Sequence, residues 1–311
     1  MPNKNISVSV VIPIFNEIEC LPELVQRTVS ALTSAQSSWE IVFVNDGSGQ
    51  ECSDALAQYA KQNENIKLVN LSRNFGHQAA ITAGLNTAKG EAVVLMDGDL
   101  QDPPEVITEM VSAWRNGSDI IVAERSSRKE TLFRGMCFRL FHSIINQLID
   151  FRIQANAGVF GLMSRRAVNE LLRFNESNRF IPGLRSYVGF KTAHVNYDRQ
   201  ERLAGQPKQT FIRLLKYGLD AVFSFSYKPL RITLFLGLIV FFLGCGYALI
   251  LFIQRLLNID VVKGFTTTAV ATLVLGSIQL ISIGIMGEYI GRIYDEVKRR
   301  PMFIVKDTIN V

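Results

Sequence analysis

Two carboxylates separated by a single residue follow an apolar run in the first half of the sequence. Residues 93–96, Val-Val-Leu-Met, have the continuous apolar character of a strand buried on both faces, and Asp97 and Asp99 come directly after them. With the side-chain amide oxygen of Gln101 they form a set of hard oxygen ligands suited to Mg²⁺ or Mn²⁺. Such ions are commonly shared between a few protein carboxylates and the phosphates of a substrate. The spacing therefore predicts metal-assisted chemistry on a phosphorylated substrate.

A helix start is predicted immediately after this acidic turn. Asp102 has the residue type of an N-cap, Pro103 suits the first helical position, and Glu105 could complete a capping box. A strand, an acidic turn and a helix in this order place Asp97 and Asp99 at the carboxyl end of a strand, where open α/β sheets bind ligands. For an isolated D-x-D motif the simpler interpretation is a capped helix beside a solvated turn. Other features of the sequence must therefore distinguish this interpretation from a metal site.

The first 124 residues alternate strand-like apolar runs with helical patterns. Strands are predicted at 7–14, 39–45, 67–71, 92–96 and 120–123, with helices beginning near residues 17, 50, 76 and 103. This βαβα order predicts a mostly parallel α/β sheet with helices on both faces. Polar residues follow four of the strands, and parallel strands end at a common edge, so we expect these residues to share one site.

Several function classes find no support in the sequence. It has no G-x-G-x-x-G and no G-K-[ST] motif, so neither a dinucleotide fold nor a P-loop is predicted. It has no G-x-S-x-G motif and only three histidines, so Ser–His–Asp hydrolysis has no basis. The net charge of +5 is modest and concentrates late in the chain beside apolar segments. That pattern favours an anionic membrane surface over nucleic acid as a partner.

Four motifs, V-V-I-P-I-F-N-E, V-N-D-G-S, N-F-G-H-Q-A-A and D-G-D-L-Q-D-P-P-E, occur in this order. Their order and spacing resemble family 2 inverting glycosyltransferases of GT-A fold, whose sheet is Rossmann-like, and among them the polyprenyl-phosphate glycosyltransferases related to dolichyl-phosphate mannose synthase. The resemblance implies that Asp97 and Asp99 are catalytic and, with Gln101, ligate the metal on the donor diphosphate. It implies that the nucleotide sugar is bound by Pro13, Phe15, Glu17, Asp46, Arg73, Gln78, Asp97 and Gly98.

The segment from 125 to 210 is basic and less regular. By the same resemblance, the phosphate groups and the acceptor are bound by Arg125, Arg134, Arg199, Arg202 and Lys208, the last three on a phosphate-clamping loop at about 197–209. A basic juxtamembrane linker attracted to anionic headgroups is an equally good interpretation for any one of these loop residues. Residues 131–150 repeat apolar residues at helical spacing with arginines between them, which predicts an interfacial helix or, alternatively, a core helix with a solvated basic face.

The string Asn-Ala-Gly-Val-Phe-Gly-Leu at 156–162 departs from the family pattern. Relatives usually carry Asp in place of Val159 and Arg in place of Gly161. Without that acid the sequence offers no protein-derived general base. A phosphomonoester acceptor has a second pKa of about 6 by analogy with phosphorylated side chains, so it is already largely dianionic at neutral pH. It needs orientation and charge compensation rather than deprotonation, and no general base is predicted.

Two long apolar runs predict membrane spans. Residues 232–253 and 265–287 contain no charged residue, and each run exceeds the ~20 residues that cross a bilayer as a helix. Basic residues are more frequent outside this pair than in the loop between the runs, so the positive-inside rule predicts that both termini and the catalytic domain are cytoplasmic. The predicted organisation is a 1–210 glycosyltransferase domain, a 211–229 juxtamembrane amphipathic helix, a 230–291 membrane hairpin and a 292–311 cytoplasmic tail.

The string G-E-Y-I-G-R-I-Y-D-E-V-K-R-R-P at 287–301 carries a more specific resemblance. It is similar to the C-terminal signature of GtrB-like bacterial enzymes, two-span members that load a sugar onto undecaprenyl phosphate. This resemblance implies a multi-pass protein of the inner (plasma) membrane and a homo-oligomer, with a tetramer as the expected form.

The leading interpretation is an inverting glycosyltransferase that moves a hexose onto polyprenyl (undecaprenyl) phosphate at the cytoplasmic membrane face, with UDP-glucose as the leading donor. GDP-mannose or another UDP-sugar remains an alternative donor. A processive polysaccharide synthase lacks support because the chain has no Q-x-x-R-W motif. An alternative of a different class is a non-catalytic membrane protein that binds nucleotide sugars or lipid phosphates. Val159 and Gly161 favour that alternative, whereas the intact set Asp97, Asp99 and Gln101 argues against it.

Overall fold

The computed structural model describes residues 7–125, 157–174, 176, 179–198, 226–256 and 264–311. They form two compact units. The α/β unit contains the described residues up to 198 together with 300–311, and the helical unit contains those from 226 to 299. The predicted interfacial helix at 131–150 and most of the predicted loop at 197–209 and helix at 211–229 lie outside the described residues.

The α/β unit alternates strands and helices as predicted. Its strands are β1 (Val8–Ile14), β2 (Trp39–Asn45), β3 (Ile66–Leu71), β4 (Ala92–Leu95), β5 (Ile120–Arg125), β6 (Ala157–Ser164), β7 (Thr192–Tyr197) and β8 (Val305–Ile309). Its helices are α1 (Leu21–Ser34), α2 (Gln50–Gln62), α3 (His77–Thr87), α4 (Val106–Arg115), α5 (Arg165–Arg173) and α6 (Ile181–Tyr187). All five strands predicted before residue 124 are present, with their ends shifted by at most two residues.

The eight strands form one sheet in the order β7-β5-β6-β4-β1-β2-β3-β8. The central strands β4, β1, β2 and β3 pair in parallel, as do β5 and β7. The other pairs are antiparallel, because β6 runs against β4 and β5, and β8 runs against β3. The predicted α/β sheet is confirmed, and its parallel centre brings the carboxyl ends of β1, β2, β3 and β4 to one edge.

The central strands are apolar throughout because both faces of the sheet are covered. Every residue of β1 is buried, and so is every residue of β2 after Trp39. Phe43 of β2 and Phe160 of β6 are among the largest fully buried side chains. This two-sided burial explains why the strands read as continuous apolar runs rather than as an alternating pattern. A sheet packed in this way holds the loops at its carboxyl edge in fixed positions.

The predicted N-cap at Asp102 is wrong. Helix α4 begins at Val106, and Glu105 occupies the N-cap position without a side-chain cap hydrogen bond. The Asp102 carboxylate is buried and instead accepts a hydrogen bond from the Tyr197 hydroxyl at 2.5 Å, while Glu105 pairs with Arg27 at 2.8 Å. Both residues are of types that cap helices, but partners 95 and 78 residues away in the chain engage their carboxylates instead.

The C-terminal segment adds a strand that the sequence analysis did not assign. Strand β8 extends the sheet along β3, and the Ile304 carbonyl accepts a hydrogen bond from the Ser72 backbone N–H at 2.9 Å. The Asn70 side-chain amide donates to Asp307 at 2.5 Å, and the Asn310 side chain donates to the Ile66 carbonyl at 2.9 Å. These contacts attach the segment that follows the second long helix to the strand and loop beside the carboxyl edge.

Removing residues 304–311 is therefore expected to lower the melting temperature of the α/β unit by about 5 °C or more, because the sheet loses its edge strand and β3 loses its partner. Trp39 and Trp114, the two tryptophans of the chain, both lie in this unit, so intrinsic fluorescence of the detergent-solubilised protein reports on its unfolding. The control is Asp307→Asn, which keeps an acceptor for Asn70. An unchanged melting temperature in the truncated chain would contradict the prediction.

The helical unit consists of two long helices, α7 (Lys228–Leu256) and α8 (Phe265–Lys298). Windows at Lys228–Tyr247 and Val270–Lys298 are long and apolar enough to cross a membrane, by length and composition. Large apolar side chains such as Phe242 and Leu243 are about two-thirds exposed. A stable water-soluble surface rarely exposes so continuous an apolar area. The two helices contain the whole of the runs predicted at 232–253 and 265–287.

Candidate functional site

A cleft of about 330 Å³ opens at the carboxyl edge of the sheet. This size lies in the range of small-molecule binding sites. The ends of β1, β2 and β4 and the loop between β3 and α3 contribute its walls, as the parallel topology predicts. The lining residues are Pro13, Ile14, Phe15, Glu17, Asp46, Asn74, Gly76, His77, Asp97, Gly98 and Asp99. The structure thus brings together six of the predicted nucleotide-sugar residues and both predicted catalytic carboxylates.

The acidic turn after β4 is held rigidly against β1. A Cβ atom on Gly98 would lie 2.4 Å from Ile14 Cδ1 and 2.8 Å from Glu17 Oε2, so a larger residue between the two carboxylates would require both of these side chains to move. Leu100 is buried in the core with a positive φ of 55°, and the Gln101 backbone N–H donates to Asp99 Oδ1 at 3.2 Å. The turn therefore presents its carboxylates to the cleft from a fixed backbone.

His77, the first residue of α3, lies beside the acidic turn. Its Nε2 atom is 2.9 Å from Oδ1 of Asp97. Although desolvation in the cleft opposes the charged ring, the hydrogen bond and the negative charge of Asp97 raise the pKa of His77. His77 is not among the residues predicted for the site, although it stands in the N-F-G-H-Q-A-A motif between Gly76 and Gln78. Its position in that motif was the available signal.

Asp46 organises the loop between β3 and α3. Its two carboxylate oxygens accept hydrogen bonds from the backbone N–H groups of Phe75 at 2.7 Å and Gly76 at 3.0 Å. Burial raises the pKa of Asp46 despite these two hydrogen bonds. The neighbouring Gly47 has a φ of +71°, and its backbone packs directly on that of Asn74. The residue predicted to hold the nucleotide thus also shapes the wall of the cleft.

Three predicted residues occupy positions next to the cleft rather than in its described lining. The Arg73 guanidinium lies 4.1 Å from the centroid of the Phe75 ring. The Gln78 side-chain oxygen accepts a hydrogen bond from the Ile181 backbone N–H at 3.0 Å, which ties α3 to the start of α6. Gln101 contributes its backbone N–H to Asp99, as described above. The observed contact of Gln78 thus joins two helices of the α/β unit, and its predicted contact with the nucleotide sugar stays a prediction.

Arg125 ends β5 and lies within the electrostatic influence of the acidic turn. Its Nε donates to the Tyr197 hydroxyl at 3.3 Å. Although burial opposes the charge, Tyr197 and the negative charges of Asp102 and Asp97 raise the pKa of Arg125, which stays cationic. The other predicted phosphate-binding residues lie outside the described residues: Arg134, Arg199, Arg202 and Lys208.

The departure from the family pattern in β6 has a structural counterpart. A Cβ atom on Gly161 would lie 2.5 Å from the Ile121 carbonyl oxygen and 2.8 Å from Nη1 of Arg185. Arg185, on α6, is buried and donates to the carbonyl oxygens of Gly158 at 2.9 Å and Val159 at 3.2 Å. Burial lowers the pKa of Arg185 to about 10. A guanidinium group from a different element thus fills the space beside Gly161.

The donor set fits a divalent cation that is shared with a substrate. The part of the chain described by the structure contains no cluster of three or more His, Cys, Asp and Glu side chains that could hold a metal ion alone. Asp97 and Asp99 supply two carboxylates at the cleft, and Mg²⁺ is commonly bound by one or two carboxylates, waters and substrate phosphates. The site is therefore suited to an ion that binds together with a diphosphate.

Comparisons with known proteins agree with this architecture. The family model described as glycosyl transferase family 2 matches residues 9–172, and the model described as GtrB C-terminal hairpin matches residues 228–293. An uncharacterized glycosyltransferase of Synechocystis sp. is 42% identical over 97% of this chain and 95% of its own length. The bactoprenol glucosyl transferase of Shigella phage SfII is 37% identical over 96% of this chain and 97% of its own length.

A solved structure, the mannosyltransferase PcManGT from Pyrobaculum calidifontis in complex with GDP-Man and Mn²⁺, is 15% identical with a TM-score of 0.48 and covers 72% of this chain and 64% of its own. The family model alone spans more than half of the chain, and the phage relative matches it nearly from end to end. The chain belongs to glycosyl transferase family 2, as a glycosyltransferase that carries a GtrB C-terminal hairpin.

Proposed function

We propose that this glycosyltransferase moves glucose from UDP-glucose onto the phosphate of a polyprenyl lipid, undecaprenyl phosphate, with inversion at the anomeric carbon. The observation that carries the proposal is the pair Asp97 and Asp99, fixed at a nucleotide-sized cleft in a chain that also has two helices apolar enough to cross a membrane. The phage relative is named a bactoprenol glucosyl transferase, which supports the sugar and the class of acceptor.

The nucleotide sugar occupies the cleft. Phe15, nearly half exposed at the rim, offers an aromatic face to the base, and Glu17 and Asp46 offer acceptors for base and ribose donors. Asp97 and Asp99 would hold a Mg²⁺ or Mn²⁺ ion, and the bound ion would supply positive charge that stabilises the leaving diphosphate. Three further predicted residues lie beside the cleft and help to position the metal ion and the nucleotide sugar: Gln101, Arg73 and Gln78.

In the reaction, an oxygen of the acceptor phosphate attacks C1 of the sugar. The bond between C1 and the diphosphate oxygen breaks, and UDP leaves with the electron pair, so one displacement inverts the anomeric configuration. The phosphate dianion is the nucleophile and no proton has to be removed, which agrees with Val159 in place of an acid. Arg125 supplies a cation for the acceptor phosphate, and we assign Arg134, Arg199, Arg202 and Lys208 the same task by resemblance.

The charge distribution around the apolar runs supports a cytoplasmic location for both termini and for the α/β unit. In this arrangement α7 and α8 form a hairpin whose connecting loop faces the opposite side of the inner membrane. We propose the order of a 1–210 domain, a juxtamembrane segment at 211–229 and the membrane hairpin. The C-terminal segment returns to the first domain, because residues 300–311 belong to the α/β unit. The resemblance to GtrB-like enzymes supports a homo-oligomer, with a tetramer as the form we expect.

A donor screen tests the proposal. The purified full-length chain is incubated with undecaprenyl phosphate, Mn²⁺ and one labelled donor, chosen from UDP-glucose, UDP-galactose, UDP-N-acetylglucosamine and GDP-mannose. We expect labelled lipid from UDP-glucose, at least about tenfold more than from the other donors, and loss of product when EDTA removes the metal. If a different donor gives the labelled lipid, the transferred sugar is the one that this donor carries and the assignment of glucose is wrong. No lipid product from any donor would refute the transfer reaction.

A further inference from the structure

Tyr197 connects the acidic turn to the arginine at the end of β5. It is the last residue of β7 and is only 4% exposed, and its Cα is in register with that of Arg125 on the neighbouring parallel strand. Its ring packs edge-on against Phe160, with ring centroids 5.4 Å apart. Because a phenylalanine ring would fill the same space, packing does not account for the hydroxyl group.

The hydroxyl group is engaged on both sides. It donates its single proton to Oδ1 of Asp102 at 2.5 Å and accepts from Nε of Arg125 at 3.3 Å. Asp102 is itself buried and stands three residues after Asp99 in the same turn. A neutral group is therefore inserted between a buried carboxylate and a guanidinium that would otherwise attract each other directly.

Arg125 consequently keeps its charge available. Among the residues that the structure describes, no carboxylate forms an ion pair with its guanidinium group, although the charges of Asp97 and Asp102 are close enough to raise the pKa of Arg125. Its Nη2 atom lies 3.3 Å from the position of a Cβ atom on Gly158, at the beginning of β6. A partly buried cation that has no ion-pair partner within the described part of the chain is suited to receive an anionic ligand.

We propose that Tyr197 is a positioning residue that keeps Arg125 apart from Asp102 and oriented toward the phosphate of the acceptor. The inference rests on the proposed function, because it assigns the acceptor phosphate to Arg125. It goes further by giving a role to two buried residues, Tyr197 and Asp102, that belong to neither the metal site nor the nucleotide site. Without the hydroxyl group, Arg125 turns to Asp102 and is neutralised.

The test is steady-state kinetics of Tyr197→Phe in the full-length chain with UDP-glucose and undecaprenyl phosphate. We expect the KM for undecaprenyl phosphate to rise about tenfold or more, because an oriented charge-assisted contact is lost, while the KM for UDP-glucose stays within twofold. Tyr59→Phe on α2 removes a hydroxyl group from a helix remote from Arg125 and serves as the matched control. Its kinetics should equal those of the wild type.

A double variant separates positioning from a merely structural role. In Tyr197→Phe/Asp102→Asn the residue facing Arg125 is neutral, so it no longer captures the guanidinium, and the acceptor KM should return at least threefold toward the wild-type value. If the two changes act only through folding, the double variant should be less stable and less active than either single one. That result would overturn the proposal, as would an unchanged acceptor KM in Tyr197→Phe.

The outcomes also distinguish this inference from the proposed function. If the wild-type chain makes no lipid-linked sugar from any donor, the proposed function fails, whatever Tyr197 does. If the wild type transfers glucose and Tyr197→Phe changes only the KM for UDP-glucose, the function stands and the role of Tyr197 as a positioning residue for Arg125 is wrong.

Discussion

Replacing Asp99 with Asn is expected to reduce kcat/KM for sugar transfer by about 100-fold or more. The amide retains the size of the carboxylate and an oxygen that can accept from the Gln101 backbone N–H, so the turn keeps its shape. What it loses is the negative charge that a divalent cation requires at this position. The expected signature is a defect that a tenfold higher Mn²⁺ concentration partly relieves, measured as labelled lipid formed per minute.

Asp54→Asn on the exposed face of α2 is the matched control for this prediction, because it removes the same charge away from the cleft. It should leave the rate and its dependence on Mn²⁺ unchanged. Binding of UDP in the presence of EDTA should be similar in the wild type and in Asp99→Asn, because EDTA removes the metal ion through which Asp99 would contact the diphosphate. A variant Asp99→Asn that retains more than a third of the wild-type rate would show that this carboxylate does not hold the metal.

Gly47→Ala is expected to weaken UDP binding by about tenfold or more and to destabilise the α/β unit. The residue has a φ of +71°, which costs an alanine roughly 1–2 kcal/mol. Its Cβ atom would also lie 2.5 Å from the Asn74 backbone nitrogen and 2.6 Å from the Arg73 carbonyl carbon. These neighbours are main-chain atoms, so the loop between β3 and α3 has to move away from the cleft that it lines.

Gly117→Ala separates the backbone cost of a positive φ from the clash with the loop between β3 and α3. Gly117 has a φ of +87°, but a Cβ atom there meets nothing within 4 Å. It therefore carries a similar backbone cost without the clash. We expect both variants to lose thermal stability and only Gly47→Ala to lose UDP affinity, as measured by isothermal titration calorimetry. Equal UDP affinity in the two variants would show that the loop tolerates the displacement.

The central sheet could be predicted because its physical signal is local. Strands buried on both faces have to be apolar at every position, so β1, β2 and β4 are visible as runs in the sequence. Because these strands are parallel, their carboxyl ends lie at the same edge of the sheet. The acidic turn and Asp46 therefore line one cleft. The two apolar helices are visible for a similar reason, since a bilayer requires length and hydrophobicity within one continuous segment.

Other features depend on partners that lie far away in the chain. Asp102 has the residue type of a helix cap, but a buried tyrosine hydroxyl from β7 engages its carboxylate instead. Gln78 stands in a motif that predicts nucleotide-sugar binding, yet its side-chain oxygen accepts a hydrogen bond from the Ile181 backbone N–H. Strand β8 is short and largely exposed, so no periodicity distinguishes it from a polar tail.

The residue sequence by itself determined the class of sheet, the acidic pair Asp97 and Asp99 and the two apolar helices, because each depends on neighbours within a few positions. Only the tertiary structure decided that His77 contacts Asp97, that Arg185 fills the space beside Gly161, and that Tyr197 stands between Asp102 and Arg125. Those contacts join residues from different elements, and which side chains meet there is decided by how helices and strands pack, not by the local pattern.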